Sequence, residues 1–257
     1  MKRFRSFAMA MVMGVLLAST AAAADGPAVS GFASLDAMSN YVWRGQKIGN
    51  SWALQPSLGL SYAGFSAAFW ANYDSDRVEM TSGDESGHGE VNEVDFTLSY
   101  SRTFGTFTVG GGYIYYAFDG ANDTQEVFAT ATVNVLLNPT LTVYYDFDEG
   151  DGWYIVAGIS HTFSLPKDIS LKLAGTASYN IDSKMLGYDE EGGRFSNFYN
   201  AEVSSALTIP VTKNFSITPK VAYTWALSND SEHAIRGLSD DGRRDLVYGG
   251  VNLTFSF

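Results

Sequence analysis

Asn92-Glu93-Val94-Asp95-Phe96-Thr97-Leu98-Ser99-Tyr100-Ser101-Arg102 alternates without a break. Val94, Phe96, Leu98 and Tyr100 fall on one parity, and Glu93, Asp95, Thr97, Ser99 and Ser101 fall on the other. Successive side chains of an extended chain leave opposite faces, so the segment reads as a strand with one oily and one hydrophilic side. The same period of two recurs downstream. Val127, Ala129, Ala131, Val133 and Val135 oppose Glu126, Thr130, Thr132 and Asn134, and Val251, Leu253, Phe255 and Phe257 oppose Asn252, Thr254 and Ser256. Beyond residue 25 there is no apolar run of about 18 residues, and no stretch longer than a few residues keeps the helical period of about 3.6.

The pattern predicts twelve strands, at 31–42, 52–62, 65–73, 92–102, 106–118, 125–136, 140–147, 153–163, 169–180, 198–209, 215–227 and 246–257. Most reach the roughly 9–11 residues of a tilted membrane-crossing strand, whereas strands of globular domains are commonly about five or six. The links alternate in length. Those at 63–64, 103–105, 137–139, 164–168 and 210–214 are short, and those at 43–51, 74–91, 119–124, 148–152, 181–197 and 228–245 are mostly longer. Such an order is expected when tight turns line one end of a barrel and loops the other. In hydrocarbon every backbone N–H and C=O must be paired within the protein, so a sheet crosses a bilayer only by closing on itself. The predicted fold is all-β, a transmembrane antiparallel up-and-down β-barrel of twelve strands, or of ten if the short strand at 140–147 is not separate.

The chain has 257 residues, 46% hydrophobic and 14% aromatic, with no cysteine, which excludes a disordered chain and a disulfide scaffold. A formal net charge of −12 excludes a nucleic-acid partner. Lys2, Arg3 and Arg5 precede an apolar run at 7–18 and small residues at 21–24, which reads as a cleavable secretory signal over 1–24. The barrel is then 25–257. Aromatics at strand ends are expected to form interfacial girdles: Tyr41, Trp43, Tyr73, Trp153, Phe163, Tyr179, Phe198, Tyr199, Trp225, Phe255 and Phe257. Pro56 and Pro219 fall inside strands, where bulges are expected because a closed barrel has no edge to absorb a missing donor.

The hydrophilic parity places Asp36, Gln55, Glu93, Asp95, Glu126, Asp146, Lys172, Glu202 and Lys220 on a pore-lining face. Acids outnumber bases there, which predicts a weak preference for cations. Glu202 and Lys220 lie on adjacent strands at similar depth and are candidates for a cross-strand pair. Arg44, a cation beside an acidic mouth, is the candidate constriction residue, with anchoring of the first loop as the alternative. The long loops are rich in acids, including Asp74, Asp76, Glu79, Asp84, Glu85 and Glu90, but show no EF-hand spacing, so no metal site is expected. Ser160 and His161 are neighbours whose side chains leave opposite faces, and His88 and His233 lie far away in loops, so no catalytic site is expected.

The stretch Ser39-Asn40-Tyr41-Val42-Trp43-Arg44-Gly45-Gln46, followed by Ala53-Leu54-Gln55, Asn92-Glu93-Val94-Asp95, Gly111-Gly112-Tyr113 and Tyr115-Tyr116, resembles the TorF-type porin family in order and spacing. Asn40 and Trp43 depart from that pattern, where aspartate and phenylalanine are expected. The resemblance implies a bacterial outer-membrane β-barrel. The terminal Phe257, preceded by Val251, Leu253 and Phe255, resembles the signal read by the outer-membrane barrel assembly machinery. The expected location is the outer membrane of a Gram-negative bacterium. The expected partners are that machinery, outer-membrane lipids and lipopolysaccharide, and a small hydrophilic solute, with no cofactor. The expected function is passive diffusion of small hydrophilic solutes or ions through a narrow channel. The alternatives are a non-conducting structural or adhesive barrel, an outer-membrane lipid hydrolase, and a soluble β-barrel binder with its oily face inside.

Overall fold

The computed structural model describes residues 28–49, 51–75 and 89–257. The expected leader over 1–24, His88 and the acids Asp76, Glu79, Asp84 and Glu85 lie outside these residues. In chain order the strands are β1 (Ser30–Met38), the short pair β2 (Tyr41–Trp43) and β3 (Gln46–Ile48), β4 (Ala53–Tyr62), β5 (Phe65–Asp74), β6 (Glu90–Phe104) and β7 (Phe107–Phe118). They continue with β8 (Thr124–Val133), β9 (Thr140–Asp146), β10 (Gly152–Ser164), β11 (Ser170–Ile181), β12 (Ser196–Pro210), β13 (Phe215–Ala226) and β14 (Asp245–Ser256). Among the described residues one α-helix, α1 (Asn229–Leu238), lies between β13 and β14.

β1 and β4 to β14 close into an antiparallel barrel in which each strand pairs with its neighbours in sequence and β1 meets β14. At the seam Leu35 stands opposite Leu253, and Asp36 opposite Asn252. Gly31 and Phe257 complete it with two backbone hydrogen bonds of 2.8 and 3.0 Å. A β-carbon at residue 31 would lie 2.7 Å from the Phe257 ring, so glycine allows the last aromatic to rest against the first strand.

Leu35, Leu98, Val127, Leu141, Ile159, Leu173, Val203, Val221 and Leu253 are exposed on the outer wall. The buried side chains of the strands are mostly polar, among them Asn72, Glu93, Glu126, Ser178, Asn180 and Thr224. This polarity is the reverse of a water-soluble domain and is what a barrel surrounded by lipid requires. Toward the short-turn end, hydroxyls pair across neighbouring strands, as in Thr130 with Thr142 at 3.0 Å and Thr132 with Thr140 at 2.9 Å.

Four features differ from the sequence expectations. The first strand ends at Met38 rather than 42, and after a bend at 39–40 the chain forms the β2–β3 hairpin, which pairs with no barrel strand. The alternation lapses there, since the polar Ser39 and Asn40 are followed by the apolar run Tyr41-Val42-Trp43. Second, no register shift occurs at the prolines. Pro56 stays opposite Leu35 and Pro219 opposite Val251. On their other sides the pairing lapses at 55–56 and 218–219 and resumes in the same register. A strand residue directs its N–H and C=O to the same neighbour, so a proline weakens one ladder and leaves the other intact.

Third, the register shifts lie elsewhere. Asn72 faces Glu93 while Tyr73 faces Val91, and Ala177 faces Ala201 while Tyr179 faces Phe198. The extra residue in each case breaks the alternation, and Asn92 with Glu93, and Tyr199 with Asn200, are all buried. Tyr199 therefore leaves the expected girdle, as do Tyr41 and Trp43 on the hairpin, whereas Trp153, Phe163, Phe198 and Phe255 are exposed on the outside. Fourth, α1 replaces part of an expected loop. Ser228 caps it, accepting from the Ser231 amide at 3.1 Å, while the Ser231 hydroxyl accepts from the Ser228 amide at 3.0 Å. Asp230 and Glu232 occupy its first turn and Arg236 its last, as the helix dipole favours.

Candidate functional site

The inward hairpin builds the site at the long-loop end of the barrel. Arg44 and Gly45 form its two-residue turn with φ of 49° and 84°, the left-handed pair that a tight hairpin turn of type I′ demands. Trp43 stands opposite Gln46, and the turn projects the Arg44 side chain onto the barrel wall. Arg44 Nη2 donates to Glu126 Oε2 at 2.6 Å, with the two side chains 9% and 2% exposed. The guanidinium carbon lies 4.4, 4.9 and 4.3 Å from the ring centres of Trp43, Tyr144 and Tyr154, close enough for cation–π attraction. Burial works against the guanidinium charge, but Glu126 outweighs it and holds Arg44 above its ordinary range. The Tyr116 hydroxyl donates to the same Glu126 oxygen at 2.9 Å.

The rest of the hairpin is held by side chains. The Tyr41 hydroxyl donates to Glu93 at 2.7 Å. Gln46 Nε2 donates to the Tyr199 hydroxyl at 3.0 Å and to the Met185 carbonyl at 3.1 Å. Lys47 Nζ reaches Asp241 at 2.8 Å, and the Gly49 amide reaches Asp240 at 2.6 Å. Above the hairpin, Ala234 and Ile235 of α1 pack with Leu186, Phe195, Tyr154 and Tyr199 in a buried apolar cluster. Gly187 turns at φ 84°, where a β-carbon would come within 2.9 Å of the Ala234 side chain, so the segment lies flush against α1. Hairpin, 184–187 turn and helix thus fill part of the long-loop end.

Glu126 and Arg44, singled out separately in the sequence, are brought together in one ion pair. Gln55 donates to Asn72 at 3.0 Å, and Asn72 to Asn92 at 2.8 Å, a chain completed by the β6 bulge. Asp95 is half-buried and its Oδ1 has no hydrogen-bond partner. Lys220 pairs with Asp36 at 2.6 Å rather than with Glu202. The two flank β14 near Gly250, which carries no side chain to separate them. Glu202 instead accepts from the Tyr248 hydroxyl at 2.7 Å. Asp146 is turned to a local task, accepting from Thr124 at 2.9 Å and from the amides of Asp148 and Gly150 at 3.0 Å, and so organises the β9–β10 loop. Lys172 is exposed on β11. Val251, Leu253 and Phe255 are exposed on the outer wall of β14, and Phe257 is half-buried at the seam.

Several residues of the site escape sequence reasoning. Tyr41, Tyr116 and Tyr248 each give a phenol proton to an interior glutamate, and Tyr144 and Tyr154 stack on Arg44. Ser39-Asn40 and Gly45, polar and glycine breaks on either side of Tyr41-Val42-Trp43, are the signal that could have disclosed a turn there.

Fold and interior together define a barrel of the outer-membrane type. Among solved structures, a KdgM porin matches with a TM-score of 0.53 at 14% identity, over 89% of this chain and 99% of its own. A KdgM porin in complex with disordered oligogalacturonate matches with 0.51 at 13%, over 89% and 99%. The COG4313 outer membrane channel from Pseudomonas putida F1 matches with 0.51 at 9%, over 93% and 98%. At these identities the likeness is one of fold. No family model matches the chain, and no curated protein matches its sequence.

Proposed function

We propose that the chain is a porin-like channel of a Gram-negative outer membrane that passes small hydrophilic solutes or ions by passive diffusion, with a weak preference for cations. The observation that supports it is a closed barrel, apolar outside and polar within, whose interior Glu93, Asp95 and Glu202 have no cation partner among the described residues. Like charges in a confined interior repel co-ions. One KdgM structure is described with oligogalacturonate, a polyanion that such an interior does not favour, so that solute is not carried over. Membership of the TorF-type porins, removal of residues 1–24, contact with lipopolysaccharide, and recognition of Val251, Leu253, Phe255 and Phe257 by the assembly machinery belong to the same proposal.

Hydrolysis is the weaker reading. The Ser160 and His161 side chains leave opposite faces of β10, and His161 packs edge-on against Phe163 at 4.5 Å. The filled long-loop end favours a non-conducting barrel as the second reading. Refolded protein in planar bilayers under a potassium chloride gradient distinguishes them. The expected reversal potential has the sign of potassium preference and falls toward zero in Glu202→Gln. Chloride preference overturns the selectivity, and absence of conductance overturns the channel in favour of the structural barrel.

A further inference from the structure

We propose that Glu126, Tyr144 and Tyr154 form a binding site for a guanidinium-bearing solute, and that Arg44 occupies it as a built-in stand-in for that solute. The inference deepens the channel reading and rests on it for the route the solute takes, while the site itself is tested by binding alone.

The three groups of the site come from the consecutive barrel strands β8, β9 and β10. Its occupant comes from the hairpin, which shares no ladder with them. A buried carboxylate at the edge of a planar cation and aromatic rings within cation–π range are the features that recognise a guanidinium. The turn itself points the same way. A type I′ turn is best served by asparagine or glycine at its first central position, yet Arg44 takes φ 49° there, so the residue is explained by its side chain and not by the turn.

The occupant is also removable. Apart from the Arg44 contact, the hairpin is tied to the wall and loops largely through side chains, by Tyr41 to Glu93, Gln46 to Tyr199 and Lys47 to Asp241. It can therefore leave without breaking a rung of the barrel. Its departure would leave Glu126 without the cation that now pairs with it at 2.6 Å, and losing a charge-assisted contact costs free energy. A cationic solute arriving as Arg44 leaves removes that penalty, which couples binding to withdrawal of the hairpin from the mouth.

Methylguanidine binding to refolded, detergent-solubilised protein, measured by titration calorimetry, tests the site without requiring conductance. Arg44→Ala empties the site and is expected to bind at least about tenfold more tightly than wild type, whose own Arg44 competes. Arg44→Ala/Glu126→Gln is expected to lose that gain, and urea, planar but uncharged, to bind none of the proteins. Equal affinity in all three proteins, no binding to Arg44→Ala, or urea matching methylguanidine overturns the proposal. Heat-modifiable gel mobility establishes that each variant is a closed barrel. Should Arg44→Ala not fold, Arg44→Met keeps the apolar stem and carries the same expectations.

Discussion

The buried ion pair of Arg44 with Glu126 ties the tip of the first loop to the barrel wall, beside the side-chain contacts of Tyr41, Gln46 and Lys47. Removing one member of such a pair leaves the other as an uncompensated charge, which costs about 3–5 kcal/mol. Glu126→Gln is therefore expected to undock the hairpin while sparing the barrel. Amide exchange over 41–48 should accelerate by on the order of a hundredfold, while the β8–β9 ladder stays protected. Uniform acceleration through β8 and β9 would show that the pair supports the wall itself. Gly31 is decisive for a different reason. The Phe257 ring occupies the space of its missing side chain, so Gly31→Val is expected to weaken the seam and slow refolding, read as a smaller heat-modifiable fraction on gels.

Hairpin β2–β3 and the segment after α1 behave as two halves of a clasp. Lys47 Nζ bonds Asp241, the Lys47 amide donates to the Ser239 hydroxyl at 3.0 Å, and the Asp240 amide donates to the Lys47 carbonyl at 3.1 Å. Burial would raise the Asp241 carboxyl, but its bonds with Lys47 and the Arg243 amide prevail and hold it below its ordinary value. A carboxyl lowered in this way contributes its stabilisation above the ordinary value of about 3.9 and loses it as pH falls through the lowered value. The clasp is thus expected to hold at pH 5 and to open only below the usual carboxylate range, as followed by the resonance of the Arg243 amide, which donates to Asp241. Lys47→Met should move that transition upward in pH. An unchanged midpoint would show that Lys47 does not set it.

For the molecule as a whole, the division between a greasy exterior and a polar interior governs which substitutions are tolerated. Val203, exposed on the outer face of β12, faces lipid in the proposed setting, so Val203→Arg is expected to cost about 2–4 kcal/mol if it lies near the bilayer midplane. That loss is measurable as a lower urea midpoint in vesicles. Thr130→Arg projects inside, beside Thr142, and is expected to keep stability while shifting selectivity toward anions. If both destabilise equally, the assignment of faces fails. That division was legible in the sequence because a strand exposes its side chains with a period of two. Twelve segments with alternating loop lengths sufficed to place every barrel strand within a few residues. The interior ligands were only partly legible. Glu126 and Arg44 were visible as charges, but 82 residues separate them, and pairing over that distance is settled by how the chain folds back. Asn92 and Tyr199 were hidden because a bulge adds one residue and reverses parity from that point on. The hairpin and α1 were hidden because two short elements carry too few residues to show a period. Local alternation determined the barrel; the contents of its mouth were decided by contacts between elements far apart in sequence, since only the closed wall brings Glu126, Tyr144 and Tyr154 around Arg44.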